Sequence, residues 1–313
     1  MPFRFTLRQL EYFVAVGKTG SIAAASEKLN VSSPTISASI AQLEAEFALP
    51  LFVREHAKGL TLTKGGERFL QRTEVILKDA ENLSDLAGEI TGNIQGTLSV
   101  GCLVTFAQIV LPSLRRKFED AHPTARIEQR ELNQADIFSQ LRKGELDVAL
   151  TYDLDIPPDL DFSPLVSLPP YIAVAEDHPL AKFKEITIDA LRGEPMVLLD
   201  LPHSSEYFMS FFHESGFKPN VTERTKDMSI MRSLVANGFG FSIANVLPLN
   251  NLSPDGKVLR FIPLPADARP MLIGLLRPRN ETPTNTLQAF ADHCREMIGP
   301  DLLASEIIPG LTG

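Results

Sequence analysis

The chain has 313 residues, 44% of them hydrophobic, and carries 30 Lys and Arg against 39 Asp and Glu, a formal net charge of −9. That length supplies two or three compact units with their own cores, and the acidic balance excludes a chain that binds polyanions by bulk charge alone. The excess is uneven: residues 1–88 hold ten basic and ten acidic side chains, and everything after them carries the whole surplus.

Two cysteines, Cys102 and Cys294, stand far apart in no ligand spacing. This excludes a disulfide framework and leaves each as a small core hydrophobe rather than half of a redox pair. The start, MPFRFTLRQLEYF, lacks a basic-then-apolar leader and no apolar run approaches ~18 residues, so a cytoplasmic protein is expected. No metal site and no cofactor are expected.

The first elements in chain order are two short amphipathic helices within Gly20–Phe47. Ile22, Ala25 and Leu29 form a narrow apolar stripe behind Ser21, an N-cap candidate. Asn30-Val31-Ser32 turns the chain, Ser33 is the second N-cap candidate, and Pro34 takes the first helical position. Ile36, Ile40, Leu43 and Phe47 then make one buried stripe, with Thr35, Ser37, Ser39 and Gln42 on the opposite, polar face. The pattern predicts a helix-turn-helix whose second helix offers hydrogen-bonding groups to a major groove.

A short hairpin follows, anchored by Leu49, Leu51 and Phe52, with Arg54, His56 and Lys58 at its tip and Gly59 in its turn. The next helix repeats Phe69, Ile76, Leu83 and Ile90 every seven residues, with Thr73, Ala80 and Ala87 on the second seam. Such a heptad suits a partner helix, the alternative being packing on its own domain. Gly92–Gly96 breaks it.

Strands and helices alternate beyond that break. TLSVGCL, ARIEQREL and LDVALTY read as strands separated by two helices, which predicts a parallel βαβαβ sheet. A second set runs to VLRFIPL, and RPMLIGLLRPR with TNTLQAFADHCREMI returns to the first lobe. Leu160–Val166 and Pro265–Pro270 are the expected crossovers. Ligands of open α/β sheets sit beyond strand carboxyl ends, at helix N-termini. Those ends bring Leu103, Val104, Thr105, Asn133, Tyr152, Pro202, His203, Ser204 and Ser205, together with Phe239 in the Gly238–Gly240 turn. Thr105, Ser204 and Ser205 offer hydroxyls to a small anion such as a carboxylate, although each is equally placed to cap a helix. His203 is a titrating cleft residue or a helix cap.

The stretches LRQLEYFVAVGKTGSIAAASEKLNVSSPTISASIAQLE, LPLFVRE and LTLTKGGERFL, in this order, resemble the LysR-type transcriptional regulators, and the likeness extends along nearly the whole chain. The resemblance implies a multidomain chain: a mainly α winged helix-turn-helix head over 1–62, a dimerising linker helix over 63–92, and a two-lobed α/β effector domain of periplasmic-binding-protein type II form over 93–313. Lobe 1 is expected at about 93–162 and 270–300, and lobe 2 at about 163–269. It further implies double-stranded DNA with an inverted repeat and a small-molecule effector as partners, and a homodimer that assembles into a homotetramer.

The chain departs from the family where DNA is read. The family commonly has Gln at position 33, basic residues at 38 and 41 and Gln at 39, where this chain has Ser33, Ala38, Ala41 and Ser39. No Lys or Arg stands between Lys28 and Arg54, so bidentate reading of guanine by Arg is absent from this helix. Thr35, Ser37, Ser39 and Gln42 are left for base edges, Ser33 and the helix N-terminus for a phosphate, and Arg8, Lys18, Arg54, His56, Lys58 and Lys64 for the backbone. A solute-binding protein is disfavoured by the heptad and the missing leader. An enzyme is disfavoured because no phosphate-cradling Gly loop, HExxH motif or nucleophile triad is present.

Overall fold

The computed structural model describes residues 4–55, 59–91, 93–248, 250–279 and 282–298, and the chain divides into two compact units, Met1–Thr91 and Gly92–Gly313. In the first, α1 (Leu7–Thr19), α2 (Ile22–Leu29) and α3 (Ser33–Phe47) pack on one another. Thr6 and Gln9 form a reciprocal capping box that satisfies two free donors of α1, and Ser21 caps α2 through Ala24 N at 3.3 Å. Ala25, Ile36, Ile40 and Leu43 are buried, and Ile22, Leu29 and Val31 pack around them. The two stripes therefore meet through Ala25, Ile36 and Ile40, whereas Leu43 packs with Leu10, Phe13 and Leu51 and Phe47, expected on the buried stripe, is 38% exposed.

The cap of α3 lies one residue earlier than expected. Ser32, not Ser33, accepts from Thr35 N, which makes Pro34 the second helical residue. Ser32 Oγ also pairs with the Thr35 hydroxyl at 2.7 Å; a cap at Ser33 would face Ile36, which has an N–H but no hydroxyl to pair with.

The chain then forms β1 (Phe52–Glu55) and β2 (Gly59–Leu62), antiparallel with Glu55 opposite Gly59. Glu44 fastens α3 to this hairpin by accepting from Leu51 N at 2.7 Å and Phe52 N at 3.2 Å. Helix α4 (Lys64–Thr91) starts in close contact, a Cβ on Gly66 falling 2.2 Å from Leu51 O. Its heptad positions divide. Phe69 packs edge-on against Phe13 and Phe47, at 5.4 and 4.8 Å between ring centroids, whereas Ile76 and Leu83 are 44% and 66% exposed.

The second unit begins with β3 (Gly96–Leu103), α5 (Val104–Ala121), β4 (Ala125–Leu132), α6 (Gln134–Arg142), β5 (Val148–Tyr152) and β6 (Leu160–Leu168). It continues with β7 (Tyr171–Ala175), β8 (Pro195–Leu199), α7 (Ser204–Glu214), β9 (Asn220–Thr225), α8 (Met228–Ala236), β10 (Ser242–Ala244) and β11 (Leu259–Pro263). It ends with β12 (Met271–Pro278) and α9 (Asn285–Met297). The first sheet has the order β4-β3-β5-β12-β6, in which β3, β4 and β5 are parallel and β12 runs antiparallel to both neighbours. Helix α9 returns onto α5 through the rings of Phe290 and Phe118, 5.3 Å apart.

The segment Leu160–Val166 is not a crossover. It lies inside β6, which stays paired with β12 through Leu168, so the first lobe runs past 162. The chain leaves at Pro169–Pro170, two residues without an N–H to extend a ladder, and comes back through Pro265–Pro270. In the second lobe β10-β7-β11 and β8-β9 are joined by Phe241, which donates to Pro195 O at 2.9 Å and accepts from Val197 N at 2.8 Å. That join requires glycine at 240: φ is +142° and a Cβ there would stand 2.1 Å from Pro195 O.

Candidate functional site

On the head, the first turn and outer face of α3 present the predicted DNA-reading groups unequally. Pro34, Thr35, Ser37 and Gln42 are exposed and Ser33 is half-buried. Thr35 is oriented by its bond to Ser32, and Gln42 Oε1 accepts from Gln9 Nε2 at 2.8 Å. Ser39 is a correction: it is only 5% exposed and its Oγ has no protein partner. The buried stripe of α3 is wider than the apolar spacing predicts, because α3 packs against both α1 and α2 and buries position 39 along with Ile36, Ile40 and Leu43. The N-terminus of α3 is likewise not bare, since Ser32 occupies the Thr35 amide.

Among the basic groups, Lys64 is exposed at the start of α4. Lys18 is held by Glu74 at 2.8 Å, an internal competitor for any phosphate. Arg54 lies in β1 opposite Leu60, and His56 and Lys58 fall outside the described residues.

In the second unit, three of the ten predicted effector residues converge. Thr105, Tyr152 and Ser204 line a cavity of about 20 Å³ between the lobes, with Leu199, Leu201, Phe208, Met228, Ala244, Asn245, Val246 and Met271. That is room for about one water, so a ligand must part the walls. Thr105 Oγ1 and Tyr152 OH are 3.2 Å apart. Burial holds the Tyr152 hydroxyl well above its ordinary pKa, so it stays a neutral donor.

Neither Thr105 nor Ser204 caps its helix. The N-caps are Leu103 and His203, and neither makes a side-chain cap bond. At α7 the backbone does the capping, Ser204 N donating to Pro202 O at 2.8 Å and Ser205 N to Leu201 O at 3.0 Å, whereas the N-terminus of α5 has no side-chain cap, the arrangement that favours an anion.

The remaining predictions scatter. Val104 opens α5 and Ser205 follows Ser204 in α7, but neither lines the cavity, and Pro202 is exposed. Asn133 caps α6, accepting from Asp136 N at 3.0 Å, the ordinary role for a residue before a helix. Phe239 is 50% exposed beside Ile230 in a separate groove on α8: the Gly240 turn aims the chain at β8 and leaves Phe239 outside the cleft.

His203 has φ +64°, a costly conformation for a side-chain-bearing residue. Its Nδ1 lies 2.9 Å from Asp155 Oδ2. Asp155 follows β5 of the first lobe and His203 precedes α7 of the second, so this bond spans the lobes.

Sequence patterns missed Asn245, Tyr207 and Gln134. Asn245 Nδ2 donates to Leu168 O at 2.8 Å and to Tyr207 OH at 3.0 Å. Tyr207 OH donates to Arg269 O at 2.5 Å, and burial raises its pKa to about 12. These bonds tie the second lobe to both crossover segments. Gln134 Nε2 holds Tyr152 O at 3.2 Å. The only sequence signal was a polar residue inside an apolar run, FSIANVLP. Burial raises both cysteine thiols, Cys102 also feeling Cys294, which keeps them protonated and unreactive. No helix among the described residues is long and apolar enough to cross a membrane.

Comparison with known proteins covers both units. The model of the LysR substrate binding domain matches residues 91–299, and that of the bacterial regulatory helix-turn-helix protein, lysR family, matches residues 7–67. The Hca operon transcriptional activator HcaR of Escherichia coli is 32% identical over 76% of this chain and 80% of its own length. The transcriptional activator protein LysR of Escherichia coli is 28% identical over 96% and 95%. The crystal structure of HinK, a LysR family transcriptional regulator from Pseudomonas aeruginosa, superposes with a TM-score of 0.64 at 31% identity, covering 94% of this chain and 99% of that one.

Proposed function

The chain belongs to the LysR-type transcriptional regulators, DNA-binding proteins with an effector-binding domain and not enzymes, and from that premise we propose how its two sites work. The effector is a small organic acid or amino acid held between the lobes by Thr105, Tyr152, Ser204 and the N-terminus of α5. The observation that carries this is the uncapped N-terminus of α5 beside the hydroxyls of Thr105, Tyr152 and Ser204 at one cavity, all of them neutral donors. A monoanion complements them, whereas a polyanion would lack countercharge, since no Lys or Arg lines the cavity.

The head, 1–62, reads an inverted repeat through Thr35, Ser37 and Gln42 on base edges, with Arg54, His56, Lys58 and Lys64 on phosphates and Ser33 and Pro34 at the point of helix entry. The linker, 63–92, pairs with a second copy along Ile76 and Leu83, whose exposure is otherwise a cost to the free chain. The two heads of a dimer then read half-sites about one helical turn or a multiple apart, and dimers assemble as a tetramer. Effector binding reorganises the 93–313 domain and so the spacing of the heads, with two sites biasing one equilibrium.

Gel-shift binding to the chain's own upstream region tests the DNA reading. Affinity is expected to fall with salt at a log–log slope of roughly −0.9 per phosphate neutralised; a flat response without sequence preference refutes it. A thermal-shift screen of organic acids and amino acids tests the effector reading, and a stabilising compound that is indifferent to Thr105→Ala and Ser204→Ala moves the site elsewhere.

A further inference from the structure

The cavity between the lobes holds one polar group whose bonding is incomplete. Asn245 is 5% exposed and lines the cavity. The carbonyl of Leu168 can only accept, so it fixes which end of the amide is nitrogen: Nδ2 faces Leu168 O and Tyr207 OH. The other end, Oδ1, is buried with no hydrogen-bond partner in the protein. A buried acceptor left unmade costs about 1–3 kcal/mol, and the residue gains nothing locally from keeping it.

The rest of the wall restricts what can satisfy it. Leu199, Leu201, Phe208, Met228, Ala244, Val246 and Met271 are apolar, and the other polar groups are the hydroxyls of Thr105, Tyr152 and Ser204. No Asp, Glu, Lys, Arg or His lines the cavity. An ammonium brought to Asn245 Oδ1 would lie in an apolar wall without a counter-anion. A hydroxyl brings a single neutral proton and leaves its carbon skeleton to the apolar side chains.

We propose that the effector is a hydroxylated monocarboxylic acid whose hydroxyl donates to Asn245 Oδ1 while its carboxylate meets the N-terminus of α5. This rests on the effector cleft argued above and chooses between the two chemical classes named there. Asn245 is a specificity-determining residue: it selects for a ligand with a neutral donor set apart from its carboxylate by an apolar body.

Matched probes test the choice. Calorimetric titration of the full chain uses butanoate and its 4-hydroxy, 4-methoxy and 4-amino derivatives, together with benzoate and its 4-hydroxy, 4-methoxy and 4-aminomethyl derivatives. In at least one series the hydroxy compound is expected to bind about tenfold more tightly than the other three. Asn245→Ala is expected to bring the hydroxy and unsubstituted compounds within about twofold of each other without abolishing either. Should Asn245→Ala fail to fold, the wild-type series alone still decides, because the methoxy compound lacks the donor proton and the smaller unsubstituted acid lacks it without any added bulk. If the hydroxy compound is the tightest binder in neither series, whether through equal affinities or preference for the ammonium compound, the hydroxy-acid assignment is overturned and the cleft reading stands. If none of the eight binds while the chain still recognises its DNA, the ligand class is overturned and the DNA reading stands. Loss of specific DNA recognition would instead strike the regulatory reading itself.

Discussion

Thr35 and Thr105 are the same side chain in the first turn of a helix, and the chain treats them oppositely. Thr35 is exposed at the start of α3, whose N-terminus is closed by Ser32. Thr105 is buried at the start of α5, whose N-terminus has no side-chain cap, and its hydroxyl meets Tyr152. Under the proposed function, the difference follows from the size of the ligand each would meet. A duplex supplies its own rigid surface, so a reader of it needs polar groups outside and a self-sufficient helix behind them. A small molecule must be enclosed, so the protein keeps its unmet donors and acceptors inside until the ligand arrives.

The largest test of that contrast lies at the join of the second lobe. Gly240→Ala forces a Cβ into Pro195 O at a φ that L-residues avoid, and a loss of at least about 3 kcal/mol is expected in urea unfolding. A variant of unchanged stability would show that the β8–β10 join is dispensable. Next come the two threonines themselves. Thr105→Ala is expected to cost about 1–3 kcal/mol, because it leaves the buried Tyr152 hydroxyl with a lost partner. Thr35→Ala should change stability by less than about 0.5 kcal/mol while relaxing sequence preference in competition gel shifts. Arg54→Ala, by contrast, should weaken all DNA alike and lower the salt slope by about 1. An interchange of these outcomes would dissolve the comparison.

Ser39→Ala sharpens it further. Removing a buried hydroxyl without a partner is expected to stabilise the head by about 0.5–1 kcal/mol and to leave DNA preference untouched; altered preference would return Ser39 to the reading face. The smallest effect is expected at the end of α3, where Ala48 has φ +47°. Ala48→Gly should raise the denaturation midpoint by an amount corresponding to about 0.5 kcal/mol, and a decrease would mean that unfolded-chain entropy outweighs the relief.

Much of the head was legible residue by residue. The apolar spacings of Ile22–Leu29 and Ile36–Phe47, the cap at Ser21 and the hairpin after Leu51 depend on neighbours within a few positions. The errors there were of one residue, at Ser32 and Ser33, or one face, at Ser39, where the width of the buried stripe depended on two other helices. In the second unit the strand ends nominated Thr105, Tyr152 and Ser204, which share one cavity wall, because a strand–helix junction is a local event. They equally nominated Asn133 and Phe239, which share the local pattern but point elsewhere.

Periodicity, capping residues and element order by themselves determined the helix-turn-helix, the heptad helix, the alternation of strands and helices, and the absence of a basic residue from α3. These are set by short-range sterics and by the amphipathic period of each segment. Tertiary structure alone decided that β6 stays with the first sheet, that Asp155 meets His203 across the lobes, and that Asn245 keeps a buried oxygen without a partner. The contacts behind them join residues between about 48 and 118 positions apart, and a single sequence contains no local signal for which distant groups will share a wall.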